Sequence, residues 1–313
     1  MSKPVCLGLD TSNYTTSVAL FDGERGENIG RLLDVPAGTL GLRQSDALFQ
    51  HVKRLPELFD ALREQDLLHS IEAVGASTRP RAVESSYMPC FLAGEGQGRT
   101  LADSLDVPFF PASHQQGHLA AAAWSAGHME LLDRPILAWH LSGGTTELLY
   151  VVPDGVNIKA ACIGGTSDIS AGQLIDRTGV LLGLPFPAGR ALDALATESD
   201  SDDCFCVKLN NLMFSLSGME NKIKAFVERG EQNSYIARFA LNTIADAVRR
   251  TTAAALEQYP GLSVLCSGGV ASNTLLRSAM KDAVFAEPRY STDNAMGVAI
   301  LAWRSLHREG GCV

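Results

Sequence analysis

The segment SHQQGHLAAA, residues 113–122, places His114 and His118 four positions apart at the start of an alanine-rich helical pattern. On an α-helix such residues lie about 40° apart in projection, so both imidazoles can reach one ion. The segment HQQGH has the histidine spacing of the HExxH pattern of metalloproteases but lacks its glutamate. Gln115 stands where their glutamate would act as general base, so protease chemistry is not expected. Two ordinary surface histidines remain the alternative.

A metal ion bound by this pair needs a further ligand, and two other residues could supply it. Asp293 lies in the segment YSTDNAMGVA, a predicted strand-to-helix junction, and His140 ends a predicted strand. Imidazole and carboxylate together suit one divalent transition metal, zinc or iron, and they leave open positions for a substrate oxygen. The remaining histidines have no such neighbours and are predicted to be surface residues: His51, His69, His128 and His307.

Two glycine turns could cradle a phosphate. Ser142-Gly143-Gly144-Thr145 lies between two predicted strands, and residues 267–273 follow a strand and open a helix. Glycines let a ligand approach backbone N–H groups closely, and a helix N-terminus favours an anion. A turn that needs glycine only for its shape is the alternative. Three side chains could bind ribose hydroxyls or magnesium, or could instead cap helices or turns: Asp176, Asp193 and Asn273.

Other glycine-rich segments do not match a known nucleotide motif. No turn has the P-loop pattern or the Rossmann fingerprint. GEGQG, residues 94–98, is predicted to be a tight turn.

An internal repeat indicates which elements position these residues. Residues 8–23 and 140–155 both run through an apolar strand, a serine with a small-residue turn, Thr-Thr, a second apolar strand and Asp-Gly, which predicts two β-hairpins. Apolar spacing predicts helices over 46–67, where Pro56 should kink or divide the helix, and over 234–258. The pattern predicts an α/β fold with two similar halves and a cleft between them. The predicted domains are 1–112 with 295–313, and 113–294.

Charge and composition limit the partners. The 313-residue chain has 26 basic and 35 acidic residues and a formal net charge of −9. Phosphate backbones are bound by clustered Lys and Arg, so we expect the isolated chain to bind nucleic acid weakly. No apolar run approaches the about 18 residues of a membrane span, and the start of the chain lacks a signal peptide, which predicts a cytoplasmic protein. The seven cysteines lack CxxC spacing and do not predict a disulfide framework.

Seven segments occur along the chain in an order that resembles a known family: GLDTSNYTTSVAL, SHQQGHLAAA, HLSGGTTELL, AGQLIDRTGVLLGLPFPAG, FSLSGMENKI, CSGGVASNTLLR and STDNAMGVAI. Together they resemble the tRNA threonylcarbamoyladenosine transferase family, once called glycoprotease. The resemblance covers nearly the whole chain. It implies the duplicated, ribonuclease H-like two-domain fold of actin, sugar kinases and heat-shock ATPases.

The resemblance also implies an activity and a set of site residues. The activity is metal-dependent transfer of a threonylcarbamoyl group from threonylcarbamoyl-AMP to the N6 amine of the adenosine beside the anticodon in tRNA, without a covalent enzyme nucleophile. His114, His118 and Asp293 match metal ligands, and His140 falls where some members have a metal-binding tyrosine. The positions that match contacts to ATP or the adenylate are Ser142, Gly143, Gly144, Thr145, Asp176, Gly189, Asp193 and Asn273. The implied partners are tRNA and homologous or accessory subunits of a tRNA-modification complex.

Several positions depart from the family pattern. After Ser12 the chain has Asn13-Tyr14-Thr15-Thr16 in place of a cysteine and acidic residues, and residues 78–90 replace a GPG loop. Gln173 replaces an acidic residue, and Thr145 replaces a histidine. These departures favour a divergent paralogue. Two alternatives therefore stay open: a carbamoyltransferase that acts on another acceptor, and a nucleotide-binding partner subunit with little catalysis.

Overall fold

The computed structural model of the chain describes residues 3–12, 14–35 and 42–309. The predicted turn residue Asn13 and residues 310–313 of the first predicted domain lie outside the described residues. The chain divides into two compact units, one made of Met1–Asp133, Val152–Ala160 and Asp293–Val313, the other of Arg134–Val151 and Ala161–Thr292. None of the helices within the described ranges has the length and apolar character needed to cross a membrane.

The first unit contains a five-stranded sheet. Its strands are β1 (Val5–Asp10), β2 (Thr15–Phe21), β3 (Gly26–Leu32), β4 (Ile71–Arg79) and β5 (Phe109–Ser113). They lie in the order β3-β2-β1-β4-β5. β1 pairs antiparallel with β2, which confirms the first predicted hairpin, whereas β1 with β4 and β4 with β5 are parallel pairs. The carboxyl ends of β1, β4 and β5 therefore lie at the same edge of the sheet, and Asp10 and Ser113 are found there.

Four helices accompany this sheet: α1 (Gln44–Glu64), α2 (Phe91–Leu105), α3 (His114–Ser125) and α9 (Met296–Glu309). Alternation along β1 gives each face its own partners, because successive side chains point to opposite faces of a sheet. Leu7 and Leu9 belong to a core that includes three leucines of α1 and two alanines of α2. Cys6 packs on the other side with Ala302 of α9. Asp10 shares this second face with Cys6.

The sequence predicts that Pro56 kinks or divides helix α1. The helix continues through Pro56 as one element, so the proline does not divide it. Leu55, Leu58 and Leu62 are buried on the face that packs in the core, and this burial offsets the hydrogen bond that proline removes. The prediction that His51 lies on the surface was wrong, because His51 is fully buried and its Nδ1 lies 2.8 Å from the Thr16 Oγ1.

The GEGQG segment lies inside helix α2, so the predicted tight turn was also wrong. Glycine disfavours helix interiors by about 1 kcal/mol, yet here its small size is required. A Cβ on Gly94 would lie 2.9 Å from the Thr11 Oγ1, and the Gly94 N–H donates to that oxygen at 3.0 Å. Close packing of α2 on the end of β1 therefore outweighs local propensity.

Helices α3 and α9 make a backbone-to-backbone contact. A Cβ added to Gly297 of α9 would overlap the carbonyl oxygen of Gly117, the residue that directly precedes His118 on α3. Only glycine fits at this position. The contact fixes the start of α9, and with it Asp293, against the first two turns of α3.

The second unit contains a seven-stranded sheet in the order β12-β11-β6-β7-β8-β10-β9. Its strands are β6 (Ile136–Leu141), β7 (Thr146–Asp154), β8 (Asn157–Thr166), β9 (Leu209–Asn210), β10 (Met213–Phe214), β11 (Ser263–Ser267) and β12 (Val284–Phe285). β6 and β7 are antiparallel, which confirms the second predicted hairpin, and β6 pairs parallel with β11. The outer ends of β7 and β8, residues 152–160, are grouped with the first unit.

Five helices complete the second unit: α4 (Ala171–Leu181), α5 (Gly189–Ala196), α6 (Ser217–Glu228), α7 (Asn233–Gln258) and α8 (Thr274–Ala279). The predicted helix 234–258 is α7, which supplies a long buried face from Ile236 to Ala255 to the core of this unit.

The unit boundaries differ from the predicted domains 1–112 with 295–313 and 113–294. Helix α3, predicted in the second domain, groups with the first unit. Its partner α9 packs on β1 and β4, and the Gly117–Gly297 contact joins the two helices. The sequence repeat identifies a hairpin in each of the two sheets. It does not show that α3, which follows the predicted domain boundary at residue 112, groups with the first sheet.

Candidate functional site

Three predicted metal ligands meet in the first unit. The His114 Nε2 and His118 Nε2 lie 2.9 Å apart. The Asp293 Oδ1 lies 3.5 Å from the first of these nitrogens and 3.4 Å from the second. Within the described residues these three form one group whose ligand atoms all lie within 4.8 Å of one another. The i, i+4 spacing on α3 and the Gly117–Gly297 contact together produce this convergence.

Asp10 is a fourth member of this cluster that the sequence did not predict as a functional residue. Its Oδ2 lies 2.8 Å from the His114 Nδ1, and its side chain is almost completely buried. A carboxylate in this position holds the ring proton on Nδ1 and leaves the Nε2 lone pair free to bind an ion. Asp10 therefore fixes the tautomer and the orientation of the His114 ring.

The charges in the cluster depend on one another. Burial on its own lowers the pKa of His114, but the Asp10 and Asp293 carboxylates outweigh it and raise that pKa to about 10. Burial raises the pKa of Asp293, whereas hydrogen bonds to His114 and His118 and their charges hold it far below its ordinary value. The pKa of Asp10 is likewise lowered, with burial opposed by His114 and Ser12. The two ionised carboxylates thus hold a proton on His114, and a bound cation would take the place of that proton on Nε2.

Local structure holds the two histidines on the first two turns of α3. Ser113 caps the helix in a reciprocal capping box: its Oγ accepts from the Gln116 N–H at 3.2 Å, and the Gln116 Oε1 accepts from the Ser113 N–H at 2.8 Å. The Gln116 amide also donates to the Ile158 carbonyl at 2.6 Å. A helix that starts at a fixed residue presents His114 and His118 on one fixed face.

Asp293 lies just before α9 in a segment held by side-chain amides. The Asn28 Oδ1 accepts from the Ala295 N–H at 3.0 Å, and the Asn294 Oδ1 accepts from the Met296 N–H at 3.1 Å. These bonds fix the chain that directly follows the aspartate. The carboxylate therefore faces the histidines with little freedom to turn away.

The donor set fits a transition-metal ion. Bonds of about 2.0–2.2 Å from one ion to nitrogen and carboxylate oxygen place the ligand atoms about 3 Å apart. The three separations, 2.9, 3.4 and 3.5 Å, agree with that spacing. Two imidazoles with one carboxylate leave coordination positions free for a substrate. Gln115 stands where a metalloprotease would have its general base, and an amide cannot accept a proton there.

The glycine turns belong to a different part of the molecule, a cavity of about 490 Å³ in the second unit. Five of the eight predicted nucleotide contacts line it: Gly143, Asp176, Gly189, Asp193 and Asn273. The other three, Ser142, Gly144 and Thr145, flank Gly143 in the same turn. The Ser142 Oγ accepts from the Thr145 N–H at 3.1 Å, so that turn is closed by its own serine.

Two acidic side chains of the cavity have structural partners as well. The Asp193 Oδ1 accepts from the Asn273 Nδ2 at 2.6 Å and from the Thr274 Oγ1 at 2.9 Å. Asn273 caps α8, because its Oδ1 accepts from the Leu276 N–H at 2.9 Å. The Asp176 Oδ1 accepts from the Ala188 N–H at 2.8 Å. Each residue thus anchors a loop of the cavity wall and keeps acceptor capacity for a ligand hydroxyl.

The remaining predicted positions fall as follows. His140 is on β6 in the second unit, where its Nδ1 lies 3.5 Å from the Ser267 Oγ. Gln173 caps α4 in a capping box with Ser170, which gives this departure from the family pattern a structural role. Arg190 also lines the cavity and was not predicted. In a sequence, a basic residue that follows a glycine at the start of a helix indicates a ligand-binding residue only weakly.

Comparison with known proteins gives consistent results. A family model described as tRNA N6-adenosine threonylcarbamoyltransferase matches residues 45–300. Proteins with that name are similar over most of their length. One from Thermus thermophilus is 32% identical over 96% of this chain and 93% of its own, and one from Streptococcus suis is 31% identical over 99% and 94%.

Solved structures with low identity show the fold. Full-length HypF in its phosphate- and nucleotide-bound form gives a TM-score of 0.61 at 14% identity, covering 99% of this chain and 47% of that one. The ROK hexokinase from Thermus thermophilus gives 0.51 at 16% identity, covering 97% and 99%. The expected α/β fold of the actin, sugar kinase and heat-shock ATPase class is thereby confirmed.

Proposed function

This chain belongs to the tRNA N6-adenosine threonylcarbamoyltransferase family, and we propose that it transfers a threonylcarbamoyl group from threonylcarbamoyl-AMP to the N6 amine of the adenosine beside the anticodon in tRNA. The family match over residues 45–300 carries the proposal. The convergence of His114, His118 and Asp293 in the first unit supports it, because the same residues that resemble the family's ligands lie within reach of one ion. The chain is accordingly a transferase, and protease activity is not expected.

One divalent ion, iron or zinc, is proposed to be held by His114, His118 and Asp293, with His140 as a further predicted ligand. When bound, such an ion polarises a carbonyl or phosphoryl oxygen and orients the group that carries it. Asp10 contributes by holding the proton of His114 on Nδ1 at 2.8 Å, so that the other ring nitrogen stays available.

The cavity of the second unit is proposed to hold the adenylate part of the donor, or ATP. The N–H groups of Gly143 and Gly144 in the closed turn are proposed to donate to a phosphate. Asp176 is bonded on Oδ1 and can accept from a ribose hydroxyl with its other oxygen. Asp193 accepts from Asn273 on Oδ1 and from the Thr274 N–H on Oδ2, and each carboxylate oxygen keeps a further lone pair for a hydroxyl. Holding the donor by its nucleotide positions the acyl carbon for attack and lowers the entropic cost of the transfer.

The decisive test supplies the purified chain with labelled threonine, bicarbonate, ATP, an enzyme that makes the adenylate, accessory subunits and tRNA. Label in tRNA that depends on this chain is the expected result. His118→Ala should abolish it, while His128→Ala, which removes an exposed histidine of the same unit, should not. Absence of label with every accessory subunit present would instead favour a carbamoyltransferase with another acceptor.

Metal binding is tested separately by elemental analysis of the purified protein. Iron or zinc should be present at about one ion per chain and should be lost in both His114→Ala and His118→Ala. Metal that remains in both variants, or that is absent from the wild type after expression with added iron and zinc, would contradict the proposed site.

Partners are proposed from charge and exposure. With a net charge of −9 the isolated chain should bind tRNA weakly, and the affinity should fall steeply with salt. Three large apolar side chains are strongly exposed on α1 and the edge strand β3, namely Leu32 (70%), Phe49 (65%) and Val52 (55%). We propose this surface for a homologous or accessory subunit. A chain that acts on tRNA is expected in the cytoplasm.

A further inference from the structure

The turn between β6 and β7, residues 142–145, does not need its two glycines for its own shape. Neither Gly143 nor Gly144 has a φ in the left-handed region that favours glycine. Both are exposed, and a Cβ added to either one would meet nothing within 4 Å beyond its chain neighbours. This counts against a purely structural reason for the glycines. It leaves room for a ligand to approach the backbone closely.

The start of helix α4 holds this turn from one side. The Ser170 Oγ donates to the Gly143 carbonyl at 2.6 Å. One residue later, the Ala171 N–H donates to the Thr146 Oγ1 at 2.8 Å. A Cβ added to Gly172 would lie 2.5 Å from the Gly143 Cα, so the two segments are in direct backbone contact. Three consecutive residues at the start of α4 therefore fix the position of the turn.

The Ser170 hydroxyl makes two bonds at once. Its Oγ accepts from the Gln173 N–H at 3.0 Å, which caps α4, and the Gln173 Oε1 accepts from the Ser170 N–H at 3.1 Å. A hydroxyl has one hydrogen to donate, and here it goes to the Gly143 carbonyl. Ser170 is only 2% exposed, so bulk water does not compete for either bond. The cap of α4 is thus also a fixed donor to the turn.

The bond to Gly143 sets the orientation of the peptide unit that joins Gly143 to Gly144. A trans peptide is planar, and its C=O and N–H groups point in opposite directions. Because the carbonyl is held on Ser170, the Gly144 N–H points away from the start of α4. No group in the described part of the chain accepts from this N–H. Gly143 lines the cavity of the second unit, so an oriented, unused donor lies at the cavity wall.

We propose that Ser170 is a positioning residue, which orients the Gly144 N–H towards a phosphate of the nucleotide in this cavity. The inference rests on the proposed function, which assigns the adenylate or ATP to the cavity. It assigns the turn to the phosphate, because hydrogen bonds from a backbone N–H to an anion are stronger than those to a neutral acceptor. Ser170 itself lies outside the described lining of the cavity, so it acts through the peptide that it holds.

The test measures the affinities of AMP and adenosine for the full-length protein by calorimetry, because these two ligands share the base and the ribose and differ in the phosphate. The wild type should bind AMP more tightly than adenosine. A hydrogen bond to a charged group contributes about tenfold or more to affinity, and a peptide that is free to turn loses part of it. Ser170→Ala should therefore lower the AMP affinity about five- to tenfold and leave the adenosine affinity within about twofold.

Two further variants separate positioning from capping. Glycine is accepted at a helix N-cap with little loss of stability but has no hydroxyl, so Ser170→Gly should lose AMP affinity as the alanine variant does. Gln173→Ala is the matched control, because it removes the other bond of the same capping box and leaves the Ser170 bond to Gly143 in place. It should keep the wild-type ratio of AMP affinity to adenosine affinity.

The possible failures have different meanings. Equal losses for AMP and adenosine in Ser170→Ala, unchanged AMP affinity in both Ser170 variants, or the same change of ratio in Gln173→Ala would each overturn the role of Ser170 and leave the nucleotide site standing. A wild type that binds adenosine as tightly as AMP would overturn the phosphate contact at the turn. A wild type that binds neither ligand would overturn the nucleotide role of the cavity, and the role of Ser170 with it.

Discussion

Replacing Asp10 by asparagine is expected to weaken metal binding at His114, His118 and Asp293 without removing any ligand. The carboxylate uses both oxygens: Oδ2 accepts from the His114 Nδ1 at 2.8 Å, and Oδ1 accepts from the Ser12 N–H at 2.9 Å. Asparagine has nearly the same shape but only one oxygen, so it cannot satisfy both donors.

Either arrangement of the asparagine has a cost. If its oxygen stays on Ser12, its amide group faces the His114 Nδ1, which must then accept, and the ring proton moves to Nε2, the atom that faces the ion. If its oxygen turns to His114, the buried Ser12 N–H loses its partner at a cost of about 1–3 kcal/mol. Loss of an outer partner of this kind weakens metal binding by about 10- to 100-fold, or about 1.4–2.8 kcal/mol.

The assay measures the dissociation constants of Zn²⁺ and Fe²⁺ by competition with a chelator at fixed pH and without oxygen. Asp60→Asn is the matched control, because Asp60 is an exposed carboxylate on α1 that pairs with Arg63. It should bind both metals as the wild type does. A folded Asp10→Asn protein that binds metal within about twofold of the wild type would refute the role assigned to Asp10.

Three further predictions concern stability and the cavity. Burial lowers the pKa of His51 to about 4, so as the pH falls the unfolded chain takes up this proton before the folded protein does. The free energy of unfolding should therefore decrease by up to about 3 kcal/mol between pH 6.5 and pH 4, and this dependence is absent above pH 6.5. Urea unfolding should show that His51→Gln lacks this part of the pH dependence; parallel curves for the two proteins would contradict it. Gly297→Ala should destabilise the protein by more than about 3 kcal/mol and release bound metal. Gly96→Ala is the control: a Cβ added at this position of α2 would have no atom within 4 Å, so the variant should be neutral or stabilised by up to about 1 kcal/mol. Asn273→Ala should lower the unfolding free energy by about 1–2 kcal/mol and weaken AMP binding by calorimetry, since it removes the cap of α8 and frees Asp193; unchanged AMP affinity would exclude Asn273 from the site.

Local patterns in the sequence identified the parts of the fold that depend on local chemistry. The two hairpins and helix α7 follow from alternation, turn residues and apolar spacing. The pairing of His114 with His118 follows from one turn of helix. The meeting of these histidines with Asp293 was implied by the family resemblance, because no local rule relates residues so far apart in the chain.

Contacts between distant segments account for what was missed. Asp10 reads as the polar end of a strand, and its bond to His114 joins residues 104 positions apart. His51 reads as a surface histidine on an amphipathic helix, but the buried face of α1 is set by the sheet, and Thr16 supplies its partner. GEGQG reads as a turn until Thr11 is placed against Gly94. For Gly94 the tertiary contact overrides a preference of about 1 kcal/mol against glycine in a helix interior.

The contact between Gly117 and Gly297 joins two stretches of chain that are separated in sequence by the whole of the second unit. As the chain is synthesised, His114 and His118 emerge early, whereas Asp293 and α9 follow only after residues 134–292 have been made. A nascent chain thus presents two histidines and Asp10 without the carboxylate that completes the set. For the metal site proposed above, full affinity is therefore expected only late in biogenesis, and uptake of the ion would report that the last helix of the first unit has docked.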